Sequence, residues 1–180
     1  YSYFDYKNLK GYVNHIPMQQ DAAGGHAYVL LCAYHKFGDP RYLEHCKSAL
    51  EALISQKESR FYEALLPLGV YVAAYLNATE GTNYNVSKLF DWVFDGCQSS
   101  SGRTGWGIIV GKWGDYDVSG LQGSITDGGG YAFLMNSIKP AWPFIPLVKY
   151  QPEYAKAIGK WMLNNSSACR LSVSYTHLRA

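Results

Sequence analysis

Five carboxylates and a small set of aromatic side chains give this chain its chemical potential. Asp115, Asp117 and Asp127 lie between Gly102 and Tyr131, a stretch with ten of the eighteen glycines and two of the five tryptophans. Asp21 and Glu63 lie upstream, each just ahead of an apolar run. Cleaving a glycosidic bond typically needs two carboxyl groups, one protonated to assist the leaving oxygen and one ionised as base or nucleophile. These five residues are the candidates for that pair. Trp106, Trp113 and Tyr116 stand among glycines, where exposed rings offer flat platforms to the apolar faces of sugars. Arg103 can grip a uronate carboxylate in bidentate fashion, and His26 and Gln122 complete the candidate substrate-binding set.

Every one of these residues also fits a structural role. Asp127, ahead of Gly128-Gly129-Gly130, suits a helix cap or a turn, and Asp21 ahead of Ala22-Ala23 suits a cap. Glu63 sits where a negative charge favours a helix dipole. Asp115 and Asp117 flank Tyr116 as solvated loop residues would, and a tryptophan can be tucked beneath its own loop.

Other chemistries find no pattern. His15, His26, His35 and His45 form no metal set and there is no HExxH, so neither metal nor other cofactor is expected. Gly111-Lys112 is followed by Trp113 rather than Ser or Thr, so the phosphate-binding GxxxxGK[ST] is missing, as is the GxSxG of a nucleophilic serine. Cys32, Cys46, Cys97 and Cys169 lie far apart without a CxxC pair, as ordinary buried thiols would.

The elements that must position the candidates are helical couplets. Ala27 to Tyr34 is apolar nearly all round and predicts a buried inner helix. Gly38-Asp39-Pro40 ends it and starts an outer helix, with Asp as cap and Pro at the first position. That outer helix carries Tyr42, Leu43, Cys46, Ala49, Leu50, Leu53 and Ile54 on one stripe. A second couplet pairs Ala64–Leu76 with Val86–Phe94, and a third pairs the proline-interrupted Pro140–Val148 with Glu153–Leu163. Tyr42, Tyr84 and Tyr154 each mark the start of an outer helix. Their spacings are 42 and 70 residues, so the glycine-rich stretch is an insertion in one repeat. Insertions in repeat architectures gather on one face, often the binding face. The longer segments entering the inner helices would bring Asp21, His26, Glu63, Asp115, Asp117 and Asp127 around one mouth. An alternative for Gly105 to Val110 is a short strand in a small sheet over the helices.

With 180 residues, 48% hydrophobic, the chain can bury a sizeable core. Its net charge of +2 comes from scattered Lys and Arg, with no basic run to track a phosphate backbone, so nucleic acid is not an expected partner. The longest uncharged run, Ala64 to Thr79, is interrupted by Pro67 and Gly69 and is too short for a membrane span. Sequons occur at Asn77, Asn85, Asn164 and Asn165.

The pattern AYHKFGDPRYLEHCKSALEAL, followed by further hairpins and a Trp- and Gly-rich loop, resembles the six-hairpin (α/α)6-toroid glycosidases and related polysaccharide lyases, with unsaturated glucuronyl hydrolases as one branch. The resemblance covers roughly Gln20 to Ala168 and lies in architecture; no catalytic motif of the family aligns residue by residue. It implies an all-α fold of repeated hairpins forming part of a toroid, a carbohydrate substrate, and secretion or a periplasmic location. A non-catalytic helical module that binds glycan or protein is the other reading. Three hairpins are half of such a toroid, so residues 1–171 are expected to be one domain that lacks its remainder. The final SVSYTHLRA follows no helical period and resembles translated adapter read-through, which sets 172–180 apart as a tail.

Overall fold

The computed structural model describes residues 3–12, 21–59, 61, 63–95, 105–125 and 130–177. The expected couplets form. The Gly38 N–H bonds the Tyr34 carbonyl from a left-handed conformation, φ +70°, closing helix α1 (Ala22–Phe37). Two residues on, Asp39 caps α2 (Pro40–Ile54) by accepting from the Arg41 N–H, with Pro40 in the first turn. Helix α3 (Leu65–Thr79) is buried along most of its length, as its all-round apolar sequence demands. Helix α4 (Val86–Asp95) buries Val86, Leu89, Phe90 and Val93 on one stripe. Asn77 sets the turn between them: its carboxamide donates to the Tyr84 carbonyl and accepts from the Tyr84 N–H.

Helices α1 and α3 approach until their backbones touch. A Cβ on Gly24 would sit 2.5 Å from the Leu65 carbonyl oxygen, and one on Gly69 would sit 3.0 Å from Gly24 Cα. Only glycine at both places lets the two helices pack this closely.

The third couplet is α6 (Ala141–Leu147) followed by α7 (Ala155–His177), with a 3-10 turn over Pro152–Tyr154 between them. Pro146 inside α6 lacks an N–H, and the chain leaves the helix after one further residue, so the prolines shorten the helix without abolishing it. Phe144 of α6 lies at the centre of the core, edge-on to Trp161 of α7 at 5.7 Å and beside Phe90 of α4 at 5.4 Å.

Four features differ from the sequence expectation. The chain is mostly helical but not all-α: strands β3 (Gly107–Ile108), β6 (Gln122–Ser124) and β7 (Tyr131–Ala132) form an antiparallel sheet in the order β3-β6-β7. Strands β4 (Lys112–Trp113) and β5 (Tyr116–Asp117) pair as a hairpin. The glycine-rich stretch is therefore a small β-structure where it is described, as the alternative for Gly105 to Val110 had it. The opening segment, Tyr1 to Gln20, reads as irregular from its sequence, yet it holds a hairpin, β1 (Tyr3–Asp5) with β2 (Lys10–Tyr12), whose turn is stabilised by the Asp5 carboxylate accepting from the Lys7 and Asn8 N–H groups. Helix α1 is not buried all round, because α2 and α3 cover only part of its circumference and leave Val29, Cys32 and Phe37 exposed. Helical backbone continues through His177, into the segment set apart as a tail. Among the described residues, no helix is long and apolar enough to cross a membrane.

Candidate functional site

The β-structure is anchored by a buried polar seam. Gly120, at φ +92°, turns the chain from the β4–β5 hairpin into β6, and its carbonyl accepts from both Trp161 Nε1 at 3.1 Å and Asn165 Nδ2 at 2.8 Å. Asn165 also donates to the Ser137 carbonyl, and the Ser137 hydroxyl accepts the Gln122 N–H at 2.7 Å. Helix α5 (Leu134–Ile138), helix α7 and strand β6 are thus tied at one place. Beside the seam, Ile109, Leu121 and Ala168 form a second small apolar cluster. The sheet is tied at its base to α5 and α7.

On that base the β4–β5 hairpin projects. Gly114, φ +59°, supplies the positive dihedral that a two-residue hairpin turn needs at its first central position, and Asp115 is the second. Trp113 and Tyr116 are direct cross-strand partners, as are Lys112 and Asp117. Trp113 is 54% exposed and Tyr116 50% exposed, so this hairpin does carry its rings into solvent.

Behind Trp113 lies a pocket of about 210 Å³. Ile109, Val118 and Ile125 supply its aliphatic lining, Trp113 and Tyr131 its aromatic walls, and the buried Ser124 lies at its base. A Cβ on Gly130, φ +103°, would lie 2.7 Å from Trp113 Nε1, so the indole edge rests on a residue without a side chain. Tyr131 in turn stacks on Trp106 at 5.7 Å and 25°. Its mostly apolar, half-open lining is that of a small-ligand site, while its volume is smaller than the ~300–1,000 Å³ such sites usually span, room for about one ring.

The candidates divide between this pocket and the rest of the molecule. Trp113 lines it; Tyr116, Asp115 and Asp117 belong to the hairpin that supplies Trp113 but do not line it. Asp117 accepts the Ser119 N–H at 2.9 Å. Hydrogen bonding from the Ser119 hydroxyl and N–H, aided by the Lys112 charge across the strands, holds its carboxyl below the usual carboxylate range. Such a group is an ionised base rather than a proton donor. Trp106 is not a platform: it is 2% exposed, beneath Tyr131, the tucked arrangement that the sequence also allowed. Gln122 is fully buried and serves the seam, so it cannot meet a ligand at the surface.

Asp21 and Glu63 meet elsewhere, at the N-terminal ends of α1 and α3. Asp21 makes no cap hydrogen bond; its buried carboxylate reaches the Glu63 N–H at 3.4 Å and joins the two inner helices. The Glu63 and His26 side chains are exposed, and neither residue lines the pocket. Arg103 and Asp127 lie outside the described residues.

Tyr131, Ser124 and Ile125 were not among the sequence candidates. The signal for Tyr131 was an aromatic directly after a glycine run, where the chain can pass close under another ring. Nothing local marked Ser124 or Ile125, which reach the pocket only because β6 pairs with β7 in the register Ser124↔Tyr131.

The sequons divide too. The Asn77 and Asn165 carboxamides are committed to internal hydrogen bonds, whereas Asn85 is exposed.

No protein family matches the chain, nor does any curated protein or solved structure.

Proposed function

We propose that this protein is carbohydrate-active and seats a sugar ring in the pocket between Trp113 and Tyr131. The observation that carries the reading is the half-exposed Trp113 indole forming one wall of an open apolar slot of about 210 Å³. Sugar rings present apolar C–H faces to such surfaces. The repeated helical hairpins support a scaffold of the (α/α)-toroid type. On the enzyme reading, Asp117 is the ionised carboxylate and a second carboxyl, Asp115 or Asp127 of the same stretch, protonates the leaving oxygen in hydrolysis or elimination; Asp21 and Glu63, at the N-terminal ends of α1 and α3, are set aside.

A second reading, a non-catalytic glycan-binding module, is favoured by a specific observation: among the described residues no carboxylate lines the pocket, and Asp115 and Asp117 are both exposed.

One set of experiments tests both. Neutral and uronate oligosaccharides are titrated against the intrinsic tryptophan fluorescence of the protein and of Trp113→Ala. Saturable binding lost in Trp113→Ala, with Tm unchanged, supports the pocket; binding unaffected by the substitution refutes it. Product is then sought as new reducing ends or unsaturated sugars. Turnover that falls by about 10²–10⁴ in Asp117→Asn supports catalysis, and binding without any product supports the module.

A further inference from the structure

A second concave site lies where three turns converge. The α3–α4 turn, the first turn of α4 and the segment after α6 enclose an open pocket of about 460 Å³, within the ~300–1,000 Å³ range of small-ligand sites. Its lining differs in kind from that of the Trp113 pocket. Three asparagines, one glutamine and one serine face it, and apart from the Tyr84 phenol it has no ionisable lining side chain.

The walls are already fixed by internal bonds. The Asn77 carboxamide holds the Tyr84 backbone from both sides, at 2.9 Å and 2.8 Å, and accepts the Thr82 hydroxyl at 2.8 Å. Asn85 Oδ1 accepts the Lys88 N–H at 2.9 Å. Tyr154, stacked on Phe90 at 4.1 Å, donates its hydroxyl to Ser87 Oγ and so ties the start of α7 to α4. These bonds leave specific groups uncommitted. The Asn83 and Gln151 carboxamides and Asn85 Nδ2 have no hydrogen-bond partner among the described residues, and all three residues line the pocket.

We infer that this pocket binds a neutral polyhydroxylated ligand, with the Asn83 and Gln151 carboxamides and Asn85 Nδ2 as its hydrogen-bonding groups. A carboxamide presents donor and acceptor side by side, which matches vicinal hydroxyls that each donate and accept. An apolar ligand would strip water from these amides without replacing its hydrogen bonds. A charged ligand would find no counter-charge in the lining. Walls held by bonds of their own need little ordering when a ligand arrives. The inference does not depend on the function proposed above, since the two pockets share no lining residue.

The test is a titration of the ¹⁵N-labelled protein with glucose, galactose, mannose, cellobiose and xylobiose, and with glucuronate as the charged control. The side-chain NH₂ signals of Asn83, Asn85 and Gln151 are followed. At least one neutral sugar should shift them saturably, with glucuronate much weaker. The shift of the remaining Asn85 signal should vanish in Asn83→Ala/Gln151→Ala, and all three shifts should persist in Trp113→Ala; near-ultraviolet circular dichroism verifies that the double variant is folded. The inference is overturned if no neutral sugar shifts these signals, if glucuronate does so equally well, or if a folded double variant responds like the parent. Shifts that vanish only in Trp113→Ala would also overturn it and would return the binding to the first pocket.

Discussion

The Trp113 indole rests edge-on against Gly130: a Cβ placed there would be 2.7 Å from Nε1 and 3.0 Å from Cδ1. The orientation of the one exposed tryptophan of the pocket therefore depends on a missing side chain on another strand's approach. Gly130→Ala should displace the indole while keeping every aromatic ring, since φ +103° is itself unfavourable for alanine. The expected result is a shifted tryptophan emission and a loss of sugar affinity of about tenfold, ~1.4 kcal/mol. Affinity and emission both equal to those of the parent would show that the indole does not depend on Gly130.

Gly120 and Asn165 make a separate prediction about stability. An alanine at position 120 would bring Cβ to 2.5 Å from the Asn165 backbone nitrogen, in a left-handed conformation. Gly120→Ala should cost roughly 2–4 kcal/mol in denaturant unfolding. Asn165→Ala, which strips donors from the Gly120 and Ser137 carbonyls, should cost about 1–3 kcal/mol. Because both act on one seam, the double variant should lose less than the sum of the two.

The cysteines should separate by reactivity. Cys46 is fully buried on α2, and burial pushes its thiol up to about 11, while Cys32 is exposed on α1. Since the thiolate is the reactive form, maleimide labelling of the native protein followed by peptide mapping should modify Cys32 at least about a hundredfold faster than Cys46. The two rates should converge in denaturant. Equal labelling of the native protein would contradict the burial of Cys46.

Acid should weaken the α1–α2 turn in a defined direction. Hydrogen bonds from the Arg41 side chain, and then its N–H, hold the Asp39 carboxyl below its ordinary value of 3.8. A depressed folded value means that the stabilisation is complete above the unfolded value and is lost as pH falls through the folded one. Asp39→Asn keeps a good capping residue and removes the charge together with one of the two oxygens that accept from the Arg41 side chain. Its Tm should lie slightly below that of the parent near neutral pH, the pair being exposed, and the gap should close below the carboxylate range. A gap that persists at low pH would assign the effect to geometry rather than charge.

Sequence alone determined the helical couplets, because their signals are local. Gly38-Asp39-Pro40 specifies one helix end and the next start within three residues, and the stripe from Tyr42 to Ile54 needs only the period of a single helix. It also singled out the Gly102–Tyr131 stretch, whose described part carries four of the strands and most of the lining of the Trp113 pocket. Tertiary structure decided what that stretch contains. Its strands are two or three residues long, too short for any alternation to register, and exist only through pairing with partners such as Gly107↔Gly123 and Ser124↔Tyr131. Trp106 and Trp113 stand in nearly the same local setting, each followed directly by glycine. One is buried beneath Tyr131 and the other walls a pocket. The difference arises from which neighbour each strand packs against, a long-range choice that short-range pattern does not encode. Asp21 makes the same point: its position reads as a cap, yet its carboxylate bridges forty-two residues to Glu63 because α1 and α3 touch at Gly24 and Gly69.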